Sequence, residues 1–160
     1  MINVFLLEDR YDVRVTMVDS LEENNFEVCA CKGVFEADEE WDAQTDTYKF
    51  GAVIIDLMMS SEGLSENERE LTNDGLYTGW VWLWGKIKKE ITNPKLPYGR
   101  RVIIHSAYTE DYLKDLLRGI SADNTADLFL KTHVKIVQKS PESMDEIINI
   151  LNDMDTTPCG

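Results

Sequence analysis

Short β-branched runs that stop at a polar or charged residue alternate along this chain with longer amphipathic stretches. Residues 2–7, with Val4, Phe5, Leu6 and Leu7, predict a first strand that ends at Glu8 and Asp9. Tyr11, Val15, Val18 and Leu21 recur at helical spacing and predict a helix over residues 10–24 with these four as its buried stripe. Residues 26–31 read as an edge strand, because Glu27 interrupts the apolar pattern, and residues 36–46 as a second helix packed through Phe35, Trp41 and Tyr48. The run Ala52, Val53, Ile54, Ile55 ends in Asp56 and has the continuous apolar character of a parallel strand buried on both faces. Residues 60–74 are polar and aperiodic, longer than most connections between a strand and a helix. Glu62, Glu66, Glu68, Glu70 and Asp74 there form either a solvated insertion or a contact for a partner or metal.

Leu76, Trp80, Leu83, Trp84, Ile87 and Ile91 share one face of a predicted helix over residues 76–91. Trp82 falls on its opposite side, which predicts an outward tryptophan at an interface or one covered by the acidic loop. Residues 101–105 predict the fourth strand, ending at Ser106. Thr109, Glu110 and Asp111 suit the start of the next helix, and Gly119 its end. Residues 126–131, with Leu128 to Leu130 running into Lys131, predict the final strand. Ser140 and Pro141 then open a last helix with Met144, Ile147, Ile148, Leu151 and Met154 on its buried face, and residues 155–160 read as a frayed tail. Five alternations of strand and helix predict an α/β fold, a doubly wound five-stranded parallel sheet in a three-layer α/β/α sandwich of flavodoxin-like order 2-1-3-4-5.

The 160 residues are enough for one domain, placed at residues 1–154 with the extended acidic loop at 60–75. A net charge of −14, from 16 basic and 30 acidic residues, argues against nucleic acid or an anionic membrane as partner. Lys86, Lys88, Lys89, Lys95, Arg100 and Arg101 gather around one helix end, where they complement its carbonyls and solvate a loop, or dock an acidic partner. No stretch has the apolar length of a membrane span, and the N-terminus reads as a strand rather than a signal peptide, so a cytoplasmic protein is expected. Cys29 and Cys31 share one face of a strand and Cys159 lies in the tail, a pattern of free thiols rather than a zinc site.

The strand ends carry the chemistry. Glu8, Asp9 and Asp56 would meet on one rim, and three carboxylates so close require a proton or a divalent cation between them. Hard oxygen ligands favour magnesium, which binds through few carboxylates together with substrate phosphate. Lys131 would place a second positive charge on phosphoryl oxygens, Ser106 would supply a hydroxyl, and Asp56 is available as a nucleophile forming an acyl phosphate.

In this order the chain resembles the receiver domain of two-component response regulators (the CheY-like fold), over about residues 1 to 154. The resemblance lies in Val4-Phe5-Leu6-Leu7-Glu8-Asp9, Val53-Ile54-Ile55-Asp56-Leu57-Met58-Met59, Val102-Ile103-Ile104-His105-Ser106-Ala107 and Leu128-Phe129-Leu130-Lys131. It implies that Asp56 is the phosphoacceptor. Glu8 and Asp9 would hold Mg2+ with Asp56 and the backbone carbonyl of Met58. Ser106 would be the switch hydroxyl and Lys131 the phosphoryl-binding amine. The function implied is a stand-alone receiver, charged by a histidine kinase or phosphotransfer protein and signalling through a downstream protein. Such a module catalyses only its own phosphorylation and dephosphorylation. Thr132 after Lys131, where the family has a proline, and Leu128 where it has the switch aromatic depart from the pattern. Met58 and Tyr108 lie two residues after Asp56 and Ser106, flank the path of attacking water and predict slow dephosphorylation. The alternative is a receiver-like binding module that is not phosphorylated. A haloacid-dehalogenase-like phosphohydrolase would need an acid where Met58 stands, and a flavodoxin would need hydroxyls in place of Glu8 and Asp9. His105 should pack facing away from the site.

Overall fold

The computed structural model describes residues 1–156, with side chains through Asp153. The expectations placed on the Met154 and Cys159 side chains and on residues 157–160 therefore lie outside what is described, while residues 155 and 156, expected to fray, continue the last helix. Five strands, β1 (Asn3–Leu7), β2 (Glu27–Cys31), β3 (Ala52–Ile55), β4 (Arg101–Ser106) and β5 (Val134–Gln138), form one parallel sheet in the order β2-β1-β3-β4-β5. This is the doubly wound flavodoxin-like order that the alternating pattern predicts. The register pairs Leu7 with Ile55 and Ile55 with Ile104, so β1 and β3 end level and β4 runs two residues further, to Ser106. The helices are α1 (Tyr11–Glu23), α2 (Val34–Asp42), α3 (Glu66–Leu71), α4 (Thr78–Ile87), α5 (Glu110–Leu117), α6 (Asn124–His133) and α7 (Ser143–Thr156).

Alternate strand residues feed two cores, as the period of two requires. Phe5, Leu7, Val53, Ile55, Val102 and Ile104 pack with α2, α4, α5 and α6 on one face. Val4, Leu6, Ile54, Ile103 and Val137 pack with Met17 and Leu21 of α1 and Ile147 and Leu151 of α7 on the other. No helix among the described residues is long and apolar enough to cross a membrane.

Several sequence expectations are corrected. Residues 126–131 are not a strand: Ala126, Phe129 and Leu130 lie on the buried face of α6, whose N-terminus is capped by Asp123 accepting from the Thr125 N–H at 2.8 Å. The last strand is instead Val134–Gln138, with Val134, Ile136 and Val137 buried. Tyr11 and Val15 are exposed, and α1 buries Met17 and Leu21. The second helix starts at Val34, earlier than predicted, and leaves Phe35 exposed while Trp41 is buried. The acidic loop contains a helix, α3, opened by a capping box in which the Ser65 hydroxyl accepts from the Glu68 N–H and the Glu68 carboxylate accepts from Ser65 N–H.

Trp82 is not outward. It is 2% exposed, stacked on Phe5 at 5.3 Å and set edge-on to Trp41, and its indole N–H donates to Asp38 at 2.8 Å. The helical stripe fails here because α2 packs across the side of α4 that the pattern leaves for solvent. Lys86 turns onto the same α2 acids, Asp38 at 2.9 Å and Asp42 at 3.3 Å.

The close seating of α4 on the end of β3 depends on one glycine. A Cβ at Gly79 would stand 1.9 Å from the Asp56 carbonyl oxygen, and the Gly79 N–H donates to the Leu57 carbonyl at 3.0 Å. Backbone on both sides cannot yield, so Gly79→Ala is expected to destabilise the protein by about 3 kcal/mol or more, read as a fall in the urea midpoint.

Candidate functional site

Four of the five strands deliver chemical groups to the carboxyl edge of the sheet, where open α/β sheets place their ligands. Glu8 and Asp9 follow β1, Asp56 follows β3, Ser106 closes β4 and Lys139 follows β5. Carboxylate oxygens of Glu8, Asp9 and Asp56 lie within 4.8 Å of one another. Glu8 is 1% exposed and Asp56 8%, whereas Asp9 is open to solvent. The Lys139 ammonium sits between the buried pair, 3.1 Å from Asp56 Oδ2 and 3.3 Å from Glu8 Oε2. Asp56 Oδ1 accepts from the Leu57 N–H at 2.8 Å, and Glu8 Oε1 from the Arg10 N–H at 3.2 Å. From α1, Arg14 steadies the turn by donating to the Glu8 and Asp9 carbonyls at 2.8 and 3.2 Å.

Burial, reinforced by Asp56, pushes the Glu8 carboxyl up to about 7. Burial also raises Asp56, against the pull of Lys139. Burial acts to lower Lys139, but Asp56 and Glu8 outweigh it and hold the ammonium above the usual lysine range. The cluster is thus short of positive charge, and its three oxygen donors suit a hard divalent cation.

Lys139, not Lys131, is the amine of the site. Lys131 is exposed in the last turn of α6, away from the strand ends, because the Leu128 to Leu130 run is helical. A signal for Lys139 was available: Val134, Ile136 and Val137 form a short β-branched run two residues before it. The departures attached to Leu128 and Thr132 lapse with Lys131. After Lys139 the chain reads Ser140-Pro141, and three residues before it stands Ile136, which is buried and not aromatic.

A cleft of about 360 Å³ opens beside Asp56 and Lys139. Ser106 lines it, with its hydroxyl accepting from the Tyr108 N–H at 3.2 Å. Met58 and Tyr108, each about half exposed, flank its mouth. His105, one residue before Ser106, is buried opposite Val137 on the other face of the sheet, as expected, and bonds Ser143.

No protein-family model matches the chain, and a search of curated protein sequences returned no match. Solved structures do match. The receiver domain of the Francisella response regulator 1452 is similar with TM-score 0.63 at 21% identity, over 98% of this chain and 100% of that one. The response regulator TrrA from Thermotoga maritima, solved in complex with Mg(2+)-BeF, gives TM-score 0.57 at 19% identity, over 96% and 99%. The chemotaxis response regulator CheY4 of Vibrio cholerae gives 0.56 at 13%, over 94% and 98%. The chain has the response regulator receiver fold.

Burial pulls His105 down to about 4, with the Lys139 charge adding to the effect. The unfolded chain therefore binds a proton below about pH 6.5 that the folded chain refuses until about pH 4, and stability falls as pH drops through this window. Against His105→Leu, which has no such proton, the wild type should lose about 2 kcal/mol of relative stability between pH 7.5 and 5, measured by urea unfolding.

Proposed function

We propose that this chain is a phosphoacceptor in two-component signalling, taking a phosphoryl group on Asp56 from the phosphohistidine of a histidine kinase or phosphotransfer protein. The observation that carries the reading is the meeting of Lys139 with Glu8 and Asp56 beside Asp9, at the edge where the sheet binds ligands. An Asp56 carboxylate oxygen attacks phosphorus, the bond from phosphorus to the donor imidazole breaks, and the imidazole leaves with the electron pair. Lys139 neutralises oxygens of the transferring group, and Ser106 can donate its hydroxyl to another. Glu8, Asp9, Asp56 and the Met58 carbonyl would hold Mg2+, which supplies charge neutralisation when bound. The raised Glu8 and Asp56 carboxyls support this assignment, since a cation would keep both ionised.

Phosphorylation then draws Ser106 toward the phosphoryl group and changes the surface of α5, β5 and α7, which a downstream protein reads. The reading places the chain in the cytoplasm, where Cys29 and Cys31, both free, stay reduced. Its only catalysis is on its own aspartate.

Intact mass after incubation with acetyl phosphate and Mg2+ should show one phosphoryl adduct in the wild type and none in Asp56→Asn. Equal labelling of both proteins, or none of either, contradicts the proposal, and absence of Mg2+ binding as well would favour a receiver-like module that is not phosphorylated.

Met58 and Tyr108 are bulky and neither is a good base to activate water beside Asp56, since a thioether accepts weakly and a phenol holds its proton at neutral pH. Removal of the donor should leave an adduct that decays over hours, and Met58→Asn should shorten its life several-fold. Decay of the wild-type adduct within seconds would contradict this account of the cleft mouth.

A further inference from the structure

Ser106 and Lys139 stand at the ends of neighbouring strands, and bonds outside the site fix one relative to the other. The Lys139 backbone N–H donates to the Ser106 carbonyl at 2.6 Å. Beyond Lys139 the chain turns through Ser140 and Pro141 into α7. The Ser140 carbonyl there is held twice by Ser143, through its backbone N–H at 3.1 Å and its hydroxyl at 2.9 Å. The oxygen of that hydroxyl lies 3.0 Å from His105 Nε2. His105 directly precedes Ser106 on β4 and is 4% exposed.

The proton count fixes the direction of this contact. The Ser143 hydroxyl spends its one proton on the Ser140 carbonyl, so toward His105 it can only accept. Nε2 must then carry the imidazole proton, which leaves Nδ1 as a bare lone pair. Among the described residues Nδ1 is indeed buried without a partner. A leucine would fill this position, opposite Val137 and on the sheet face that carries Ile103, without stranding a polar atom. What the imidazole adds is a donor aimed at the start of α7, on the far side of the sheet from the Ser106 hydroxyl.

We propose that His105 is a positioning residue for phosphoryl transfer: as the neutral Nε2–H tautomer it grips Ser143, fixes the turn at residues 139–141, and so holds the Lys139 ammonium in place against Asp56 and Glu8. This rests on Asp56 being the phosphoacceptor. Together with the Lys139 N–H to Ser106 bond, it makes the last two residues of β4 and the Lys139 turn one hydrogen-bonded unit. The hydroxyl and the amine that serve the phosphoryl group are mounted on that unit. The depressed affinity of His105 for a second proton keeps the ring in this form at neutral pH.

The test compares wild type, His105→Leu, His105→Gln, Ser143→Ala, Lys139→Ala and the double variant His105→Leu with Lys139→Ala, reading adduct formation with acetyl phosphate at saturating Mg2+. Loss of one neutral hydrogen bond corresponds to roughly fivefold in rate, so His105→Leu and Ser143→Ala should each slow labelling by about that factor. Gln, whose Nε2 can donate to the same oxygen, should recover to within about twofold of wild type. In the Lys139→Ala background, His105→Leu should change the rate no further. Wild-type labelling in His105→Leu and Ser143→Ala, or an equal slowing in both backgrounds, would overturn the proposal, because a purely structural defect does not vanish with Lys139. If the wild type takes up no phosphoryl group, the phosphoacceptor reading fails. His105 is then judged by NMR of the imidazole nitrogens. Neutral Nε2–H at pH 7, with a shift that moves in Ser143→Ala, supports the grip, and Nδ1–H overturns it.

Discussion

Two buried carboxylates share one ammonium at the carboxyl edge of the sheet, and much of the structure serves that arrangement. Glu8 and Asp56 are taken almost wholly out of water, which disfavours their charge, and Lys139 compensates only part of it. The deficit suits the oxygen donors to a divalent cation. On the proposed function, phosphoryl oxygens would meet that cation and the lysine.

The surrounding fold supplies rigid mounts for these groups rather than further chemistry. Gly79 lets α4 close onto the Asp56 backbone, Arg14 holds the turn of Glu8 and Asp9, and the Glu8 N–H is tied to the Cys31 carbonyl at the end of β2. Trp82, Phe5 and Trp41 fill the space beneath α4, so the helix that flanks Asp56 rests on packed aromatic rings. On the other side, β4 and the start of α7 share the bonds that set Lys139.

The first, third and fourth strands were legible in the sequence because a buried parallel strand is a continuous apolar run, and Glu8, Asp9, Asp56 and Ser106 follow from where those runs stop. The fifth strand was not. Leu128, Phe129 and Leu130 form a short apolar run of a kind that periodicity alone cannot assign to strand or helix, while Lys135 and Gln138 break the true strand. The pattern therefore points to an amine eight positions early, and the departures at Leu128 and Thr132 follow from that shift. Trp82 escapes the pattern for a different reason. A helical stripe registers only one buried face, and its partner Asp38 lies 44 residues away in sequence. The bond from His105 to Ser143 spans 38 residues and leaves no local trace either.

Fluorine NMR of the protein with beryllofluoride and Mg2+ tests the central claim most directly, since this phosphoryl mimic needs the aspartate, the metal site and the lysine at once. The account predicts bound fluoride resonances in the wild type that vanish on chelation of Mg2+ and are absent in Asp56→Asn. Bound resonances that persist in Asp56→Asn, or none in the wild type at saturating Mg2+, would contradict it.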